Sequence, residues 1–140
     1  MTPRYRAWIK TEKRMFLSDD ILNIDYENKE IVTQQVYFKN GLPDDRDIYF
    51  YDFDEIVLMQ STRLKDKNGK EIFDGDILEI QDEGEVLGNA KLTWDNEQAV
   101  FMIEAISVDD IAPFHEILSD ESYSYRVVGN VYENKEVLDA

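Results

Sequence analysis

Apolar and polar positions alternate with a period close to two through most of the first half of the chain, a pattern that predicts strands and not helices. Residues 5–9 and 15–17 flank a polar turn at 10–14, and residues 21–24 and 31–38 flank a second one at 25–29. Both pairs predict hairpins. Residues 39–47, with Gly41, Pro43 and a run of charges, predict a loop. Beyond it, Tyr49, Tyr51 and Phe53 alternate with Phe50 and Asp52, as in a half-buried strand with one aromatic face, and residues 55–60 predict a buried strand.

The pattern changes in residues 58–80, LMQSTRLKDKNGKEIFDGDILEI. Asn68-Gly69 predicts a type I′ turn that reverses the chain between Leu64 and Ile72, because these two residue types tolerate the positive φ such a turn demands. Asp74-Gly75-Asp76 predicts another sharp bend, after which Ile77, Leu78 and Ile80 begin a strand. Strands are expected again at residues 90–94, 99–103 and 125–132. Ile111, Phe114 and Leu118 are spaced for a short helix, with Ser107 or Asp109 as its cap, and Asn134 is placed to cap a last helical turn through Leu138. From Gly75 onward this is the element order of an SH3-like barrel. The expected architecture is mainly β: an N-terminal β-hairpin region, residues 1–57, packed on a C-terminal SH3-like β-barrel, residues 58–140, with a short helical turn. One continuous structural unit is the alternative.

Composition narrows the function classes. The 140 residues suit one compact domain or two small units, and 43% hydrophobic residues supply a core. No apolar stretch approaches the about 18 residues of a membrane span, and the N-terminus lacks a secretory signal's apolar core. The expected location is therefore the cytoplasm, with no membrane association. The absence of cysteine removes disulfides, thiolate nucleophiles and cysteine-bound zinc, and the single histidine, His115, removes most other zinc and triad chemistry.

Charge adds more, because 31 acidic residues against 15 basic ones give a net charge of −16. Two basic islands stand out: Arg4, Arg6, Lys10, Lys13 and Arg14 near the start, and Arg63, Lys65, Lys67 and Lys70 around the Asn-Gly turn. From Glu71 to Tyr123 there are 15 acids and one base, Lys91, a stretch that repels phosphate. Direct nucleic-acid binding is not expected. Tyr49, Tyr51, Phe53 and Trp94 are accordingly read as core residues and not as base-stacking platforms.

Site chemistry is sparse. Asp66, Asn68 and Gly69 imitate the start of a calcium loop, but the sixth position, where that loop needs glycine, is Glu71. Asp74 and Asp76 share a strand face and are the weak candidates for a divalent cation, although turn formation accounts for both. His115 and Glu116 have no Gly-x-Ser-x-Gly elbow to serve, and Asn68-Gly69-Lys70 lacks the rest of a phosphate loop. No metal, cofactor or catalytic residue is expected.

Four blocks of the sequence resemble the YopX family, small proteins of phages and prophages of Gram-positive bacteria. They are Tyr5-Arg6-Ala7-Trp8, Leu58-Met59-Gln60, residues 65–72 and Gly129-Asn130-Val131-Tyr132-Glu133-Asn134, in that order. Where the family usually has Thr-Gly-Leu, this chain has Thr62-Arg63-Leu64. If that position takes a positive φ, the arginine carries about 1–2 kcal/mol of strain. The resemblance implies no established activity.

Three readings of function follow. The first is a non-catalytic module that assembles with itself or binds a host or phage protein, steered by its segregated charge. Its contact candidates are Arg63, Lys65, Lys67 and Lys70, with Tyr5 and Trp8 behind them, and a homo-oligomer is the expected state. The alternative is an acidic mimic of nucleic acid that occupies a basic host protein. An unrecognised enzyme ranks last.

Overall fold

The computed structural model of the chain describes residues 4–106 and 111–138, with side chains as far as residue 136. It divides into two compact units, Met1–Met59 and Gln60–Ala140. Each has its own core.

The first unit contains β1 (Tyr5–Ile9), β2 (Arg14–Phe16), β3 (Ile21–Asp25), β4 (Glu30–Lys39), β5 (Leu42–Asp52) and the start of β6 (Ile56–Lys65). β3, β4 and β5 form a three-stranded sheet in that order, so β5 is an edge strand, while β1 lies between β2 and β6. Period-two alternation sends Ile31 and Tyr51 inward with Ala7, Ile9, Phe16 and Ile56. Phe16 stands 6.1 Å from Tyr49 and 5.9 Å from Tyr51, ring to ring, and the Arg14 guanidinium covers Phe16 at 4.2 Å. The aromatic face of β5 is therefore core, as its alternation predicts. Phe53 leaves the strand for a short 3₁₀ turn, Phe53–Glu55, closed by reciprocal capping between Asp52 and Glu55.

The second unit begins within β6 and continues with β7 (Glu71–Phe73), β8 (Asp76–Asp82), β9 (Glu85–Asp95), β10 (Val100–Ala105), β11 (Ile111–Pro113), α1 (Phe114–Leu118), β12 (Tyr123–Asn130) and α2 (Lys135–Leu138). β6 pairs with β7, and the five later strands form an antiparallel sheet in the order β11-β10-β9-β8-β12. The last strand thus returns beside the first. Ile72, Leu78, Ile80, Ala90, Leu92, Ile103 and Phe114 make the core, the largest of them contributing about 1.5–3 kcal/mol each by burial. Phe114, the one buried residue of α1, meets Tyr125 edge-on at 5.4 Å. Opposite charges face each other across the sheet: Arg126 forks onto Glu79 at 3.1 and 3.2 Å, and Lys91 reaches Glu104 at 3.4 Å.

Three sequence expectations need correction. Residues 42–47 are not a loop; they open β5, which pairs with β4 as far as Leu42 opposite Lys39. Pro43 is tolerated there because an edge strand has one side whose N–H groups bond to no neighbour. The type I′ geometry belongs to Asn40-Gly41, with φ of +54° and +78°, and not to Asn68-Gly69, where the glycine alone is positive at +82°. At the latter the Gly69 N–H donates to the Asp66 carbonyl at 2.9 Å, so the reversal is a longer loop from Asp66 to Lys70. Ile111, spaced for the short helix, lies instead in β11, and the helix begins at Phe114. The last helical turn, Lys135–Leu138, follows Asn134 directly as expected, and the Asn134 side chain accepts from the Asn130 N–H at 3.1 Å. The proposed caps Ser107 and Asp109 lie outside the described residues.

Candidate interaction surfaces

The β6–β7 hairpin carries the four basic contact candidates. Arg63, Lys65, Lys67 and Lys70 are all exposed, and Lys67 donates to Gln81 Oε1 at 3.1 Å. Their placement depends on hydroxyls. The Thr62 hydroxyl donates to the Ile72 carbonyl at 2.8 Å and the Ser61 hydroxyl donates to the Glu71 carboxylate, while Ser61 Oγ and Thr62 Oγ1 accept from the N–H groups of Arg63 and Leu64 at 2.9 and 3.1 Å. These bonds hold a shift of register between Ser61 and Lys65, in which Arg63 takes φ +65°. The arginine therefore sits in the left-handed region that favours glycine.

At the centre of this hairpin is Asp66, which the sequence reading passed over once calcium was discarded. Its carboxylate is buried, and one oxygen accepts from the N–H groups of Asn68 and Lys70 at 2.9 and 2.8 Å. The other accepts from the Val127 N–H on β12 at 2.8 Å. Burial alone would raise its pKa, but the three backbone donors, with Lys70 nearby, bring it below the ordinary value of 3.8. A fourth bond, from the Lys67 N–H to the Tyr125 carbonyl at 3.1 Å, completes the attachment of the turn to β12.

Asp74 and Asp76 likewise serve backbone. Asp76 is buried and accepts from the Phe73 N–H at 2.8 Å; Asp74 accepts from the Trp94 N–H at 3.2 Å. Among the described residues no three acidic or histidine side chains converge as a metal site requires. The 129–134 block bonds to itself and to the bend before β8, where the Val131 N–H donates to the Gly75 carbonyl at 2.9 Å. Asn130 Oδ1 accepts from Tyr132 and Glu133 at 3.0 and 2.8 Å, and a Cβ on residue 129 would fall 2.6 Å from Asn134 Oδ1, so only glycine fits.

Tyr5 and Trp8 are half-buried on β1. Tyr5 lines an open groove of about 410 Å³ with Arg4, Ser18, Leu22 and Tyr26. Arg4 is already engaged there, its guanidinium 2.6 Å from Ser18 Oγ and 3.9 Å from Asp19. In the second unit a smaller groove of about 220 Å³ brings exposed His115 near Leu64, Trp94, Phe101 and Leu118, a mainly apolar lining with no carboxylate.

Among the described residues the most exposed large apolar side chains lie elsewhere, on the β4–β5 hairpin. Phe38, Leu42 and Phe50 are 66%, 69% and 63% exposed, and Tyr37 and Ile48 are open as well. No sequence candidate fell here, because a loop at 39–47 hid the length of β5. The β4–β5 ladder shows that Phe50 stands opposite Val32 and Ile48 opposite Gln34, on the sheet face away from Tyr51.

The sequence pattern of the YopX protein family matches residues 4–139. The chain belongs to the YopX family. Two solved structures resemble the chain over nearly its whole length. Protein EF1440 from Enterococcus faecalis is similar at 29% identity, with 99% of each chain covered and a TM-score of 0.61. Protein yopX from Bacillus subtilis shares the fold at 19% identity, with 100% of this chain and 98% of that one covered and a TM-score of 0.62. No curated protein matches the chain. Among the described residues no helix is long and apolar enough to cross a membrane. The family blocks thus coincide with turn and register devices: residues 65–72 with the Asp66 loop, and residues 129–134 with the self-bonded turn after β12.

Proposed function

We propose that this YopX-family chain is a non-catalytic binding module of a phage or prophage, acting in the bacterial cytoplasm, whose first partner is another copy of itself. The observation that carries the reading is the β4–β5 hairpin, where Phe38, Leu42 and Phe50 each keep more than half of their surface exposed. Phe50 lies opposite Val32 with Ile48 beside it on the same face, Phe38 and Leu42 lie at the turn end of the ladder, and exposed apolar surface along one sheet edge is a feature of interaction sites. Segregated charge is the second support, with four cations on the β6–β7 hairpin of a chain whose net charge is −16. The return of β12 beside β8 supports reading the second unit as an SH3-like barrel, a frame whose loops commonly bind other macromolecules.

Light scattering coupled to size exclusion tests the proposal. A dimer or larger species at micromolar concentration, at both low and 1 M salt, is expected; a monomer at every concentration and salt would sink it. Recovery of a basic host protein, released by modest salt, by an otherwise monomeric chain would favour the nucleic-acid mimic instead.

A further inference from the structure

We infer that two copies of this chain join through β5, edge to edge and antiparallel, about a twofold axis passing beside Tyr49. The inference rests on the self-association proposed above and specifies its surface. β5 is the outer strand of the β3-β4-β5 sheet, and no strand follows it among the described residues.

Backbone direction fixes which residues can take part. The Phe53 N–H donates inward to the Lys29 carbonyl, whereas the N–H groups of Arg46 and Asp52 are taken by side chains, Asp45 Oδ1 at 2.8 Å and Glu55 Oε2 at 3.0 Å. Residues alternate in direction along a strand, so the N–H and C=O groups of Ile48 and Phe50 face the open side. The edge therefore offers two outward residues between two whose N–H groups are already satisfied.

Side chains then choose the register. Arg46, Ile48, Phe50 and Asp52 share one face of β5, in the order cation, apolar, apolar, anion. An antiparallel copy must pair outward groups with outward groups, which restricts the twofold to a residue position. Centred on Tyr49, it sets Ile48 against Phe50 of the copy and Arg46 against Asp52 of the copy, each twice by symmetry. Centred on Ile48, it would set Arg46 against Phe50; centred on Phe50, Ile48 against Asp52; centred on Asp47, Asp44 against Phe50. One register alone matches both charge and hydrophobicity. Arg46 now holds Gln34 Oε1 at 3.1 Å and Asp52 takes part in the turn capping, so each has a second bonding position for the copy. The apolar side chains of Ile48 and Phe50, 39% and 63% exposed, are the surface this pairing covers.

The chain has no cysteine, so a register-specific cross-link has no background. Ile48→Cys and Phe50→Cys variants of the full chain, both at exposed sites, are mixed under mild oxidation and read by mass spectrometry. Directly opposed residues lie about 5.5 Å apart at Cα, within disulfide range. The expected result is a mixed disulfide at least 10-fold more abundant than either self-linked product. Self-linking of one variant, or no link in a protein whose mass is dimeric, would overturn the β5 register while leaving self-association intact. A monomeric mass for the unaltered chain would remove both. As a second arm, Phe50→Lys should lower the dimer association constant at least 10-fold without changing the circular dichroism spectrum; unchanged association would overturn the inference.

Discussion

The β4–β5 hairpin turns at Asn40-Gly41 with positive φ at both residues, whereas the β6–β7 hairpin turns at Asn68-Gly69 with positive φ at the glycine alone. The same dipeptide thus closes two different reversals. In the first, local chemistry suffices: a two-residue turn joins long strands whose pairing is interrupted only by a bulge at Asp44. In the second, β7 has three residues, and the turn is held by the buried Asp66 carboxylate and by bonds to β12. The first hairpin buries Ile31 and Tyr51 on one face and leaves Phe50 and Ile48 of the other to solvent, while the second turns the carboxylate of Asp66 to the interior of its own unit. Apolar exposure and closure of the fold have gone to different hairpins.

The contrast is broken most directly at Asp66. Replacing it with alanine leaves the N–H groups of Asn68, Lys70 and Val127 without their acceptor, at a cost on the order of 3 kcal/mol for three partly buried donors. Urea unfolding should show that loss, and a change under 1 kcal/mol would mean the turn is held by something else. The effect has a pH signature with a defined sign. Because the folded pKa lies below the unfolded value near 3.8, the carboxylate contributes stability that is present above that value and is lost as pH falls through the folded pKa. The gap between the parent and Asp66→Asn should accordingly narrow below about pH 3.8.

How far these hairpins were legible in the sequence follows from the same contrast. Strand alternation is a local signal, and it located β1, β3, β4 and the core strand β8 to within a residue or two at their starts. The spacing of Ile111, Phe114 and Leu118 announced the short helix, but only Phe114–Leu118 is helical, because Ile111 pairs with Glu104 in β11. The first half of β5 was hidden because Pro43, Asp44, Asp45 and Asp47 are what a loop contains and also what an edge strand contains to prevent indiscriminate pairing. The Arg46, Ile48, Phe50, Asp52 order was present in the letters, but only the sheet order reveals that no neighbour lies beside it. Asp66 was missed for a different reason, since its partner Val127 lies 61 residues away and no local pattern encodes that bond. The basic candidates were found because charge runs are visible without topology.

A smaller effect is expected at Gly41, the glycine of the exposed turn. Its φ of +78° strains any side chain, yet a Cβ there meets nothing within 4 Å. Gly41→Ala should cost about 1–2 kcal/mol, from backbone strain alone. Hydrogen exchange supplies the discriminating readout. Amides of β4 and β5 near the tip should exchange faster, while those of β8 and β12 keep their protection. Equal loss of protection in both regions would mean that the two hairpins unfold as one and that the division of labour between them is false.

The finest test concerns Arg63, where the second hairpin carries strain of its own. At φ +65° the arginine pays for a left-handed backbone that glycine would relieve, and the surrounding hydroxyl bonds hold it there. Comparing Arg63→Gly with Arg63→Ala separates backbone from side chain, since both remove the guanidinium and only glycine removes the strain. The glycine variant should be the more stable by about 1 kcal/mol, the left-handed penalty of 1–2 kcal/mol being partly offset by glycine's greater freedom when unfolded. Thermal unfolding would register this as a higher midpoint for glycine than for alanine. Were alanine equal to or better than glycine, the register shift in β6 would be set by the hydroxyl network without backbone cost, and Arg63 would be an ordinary strand residue.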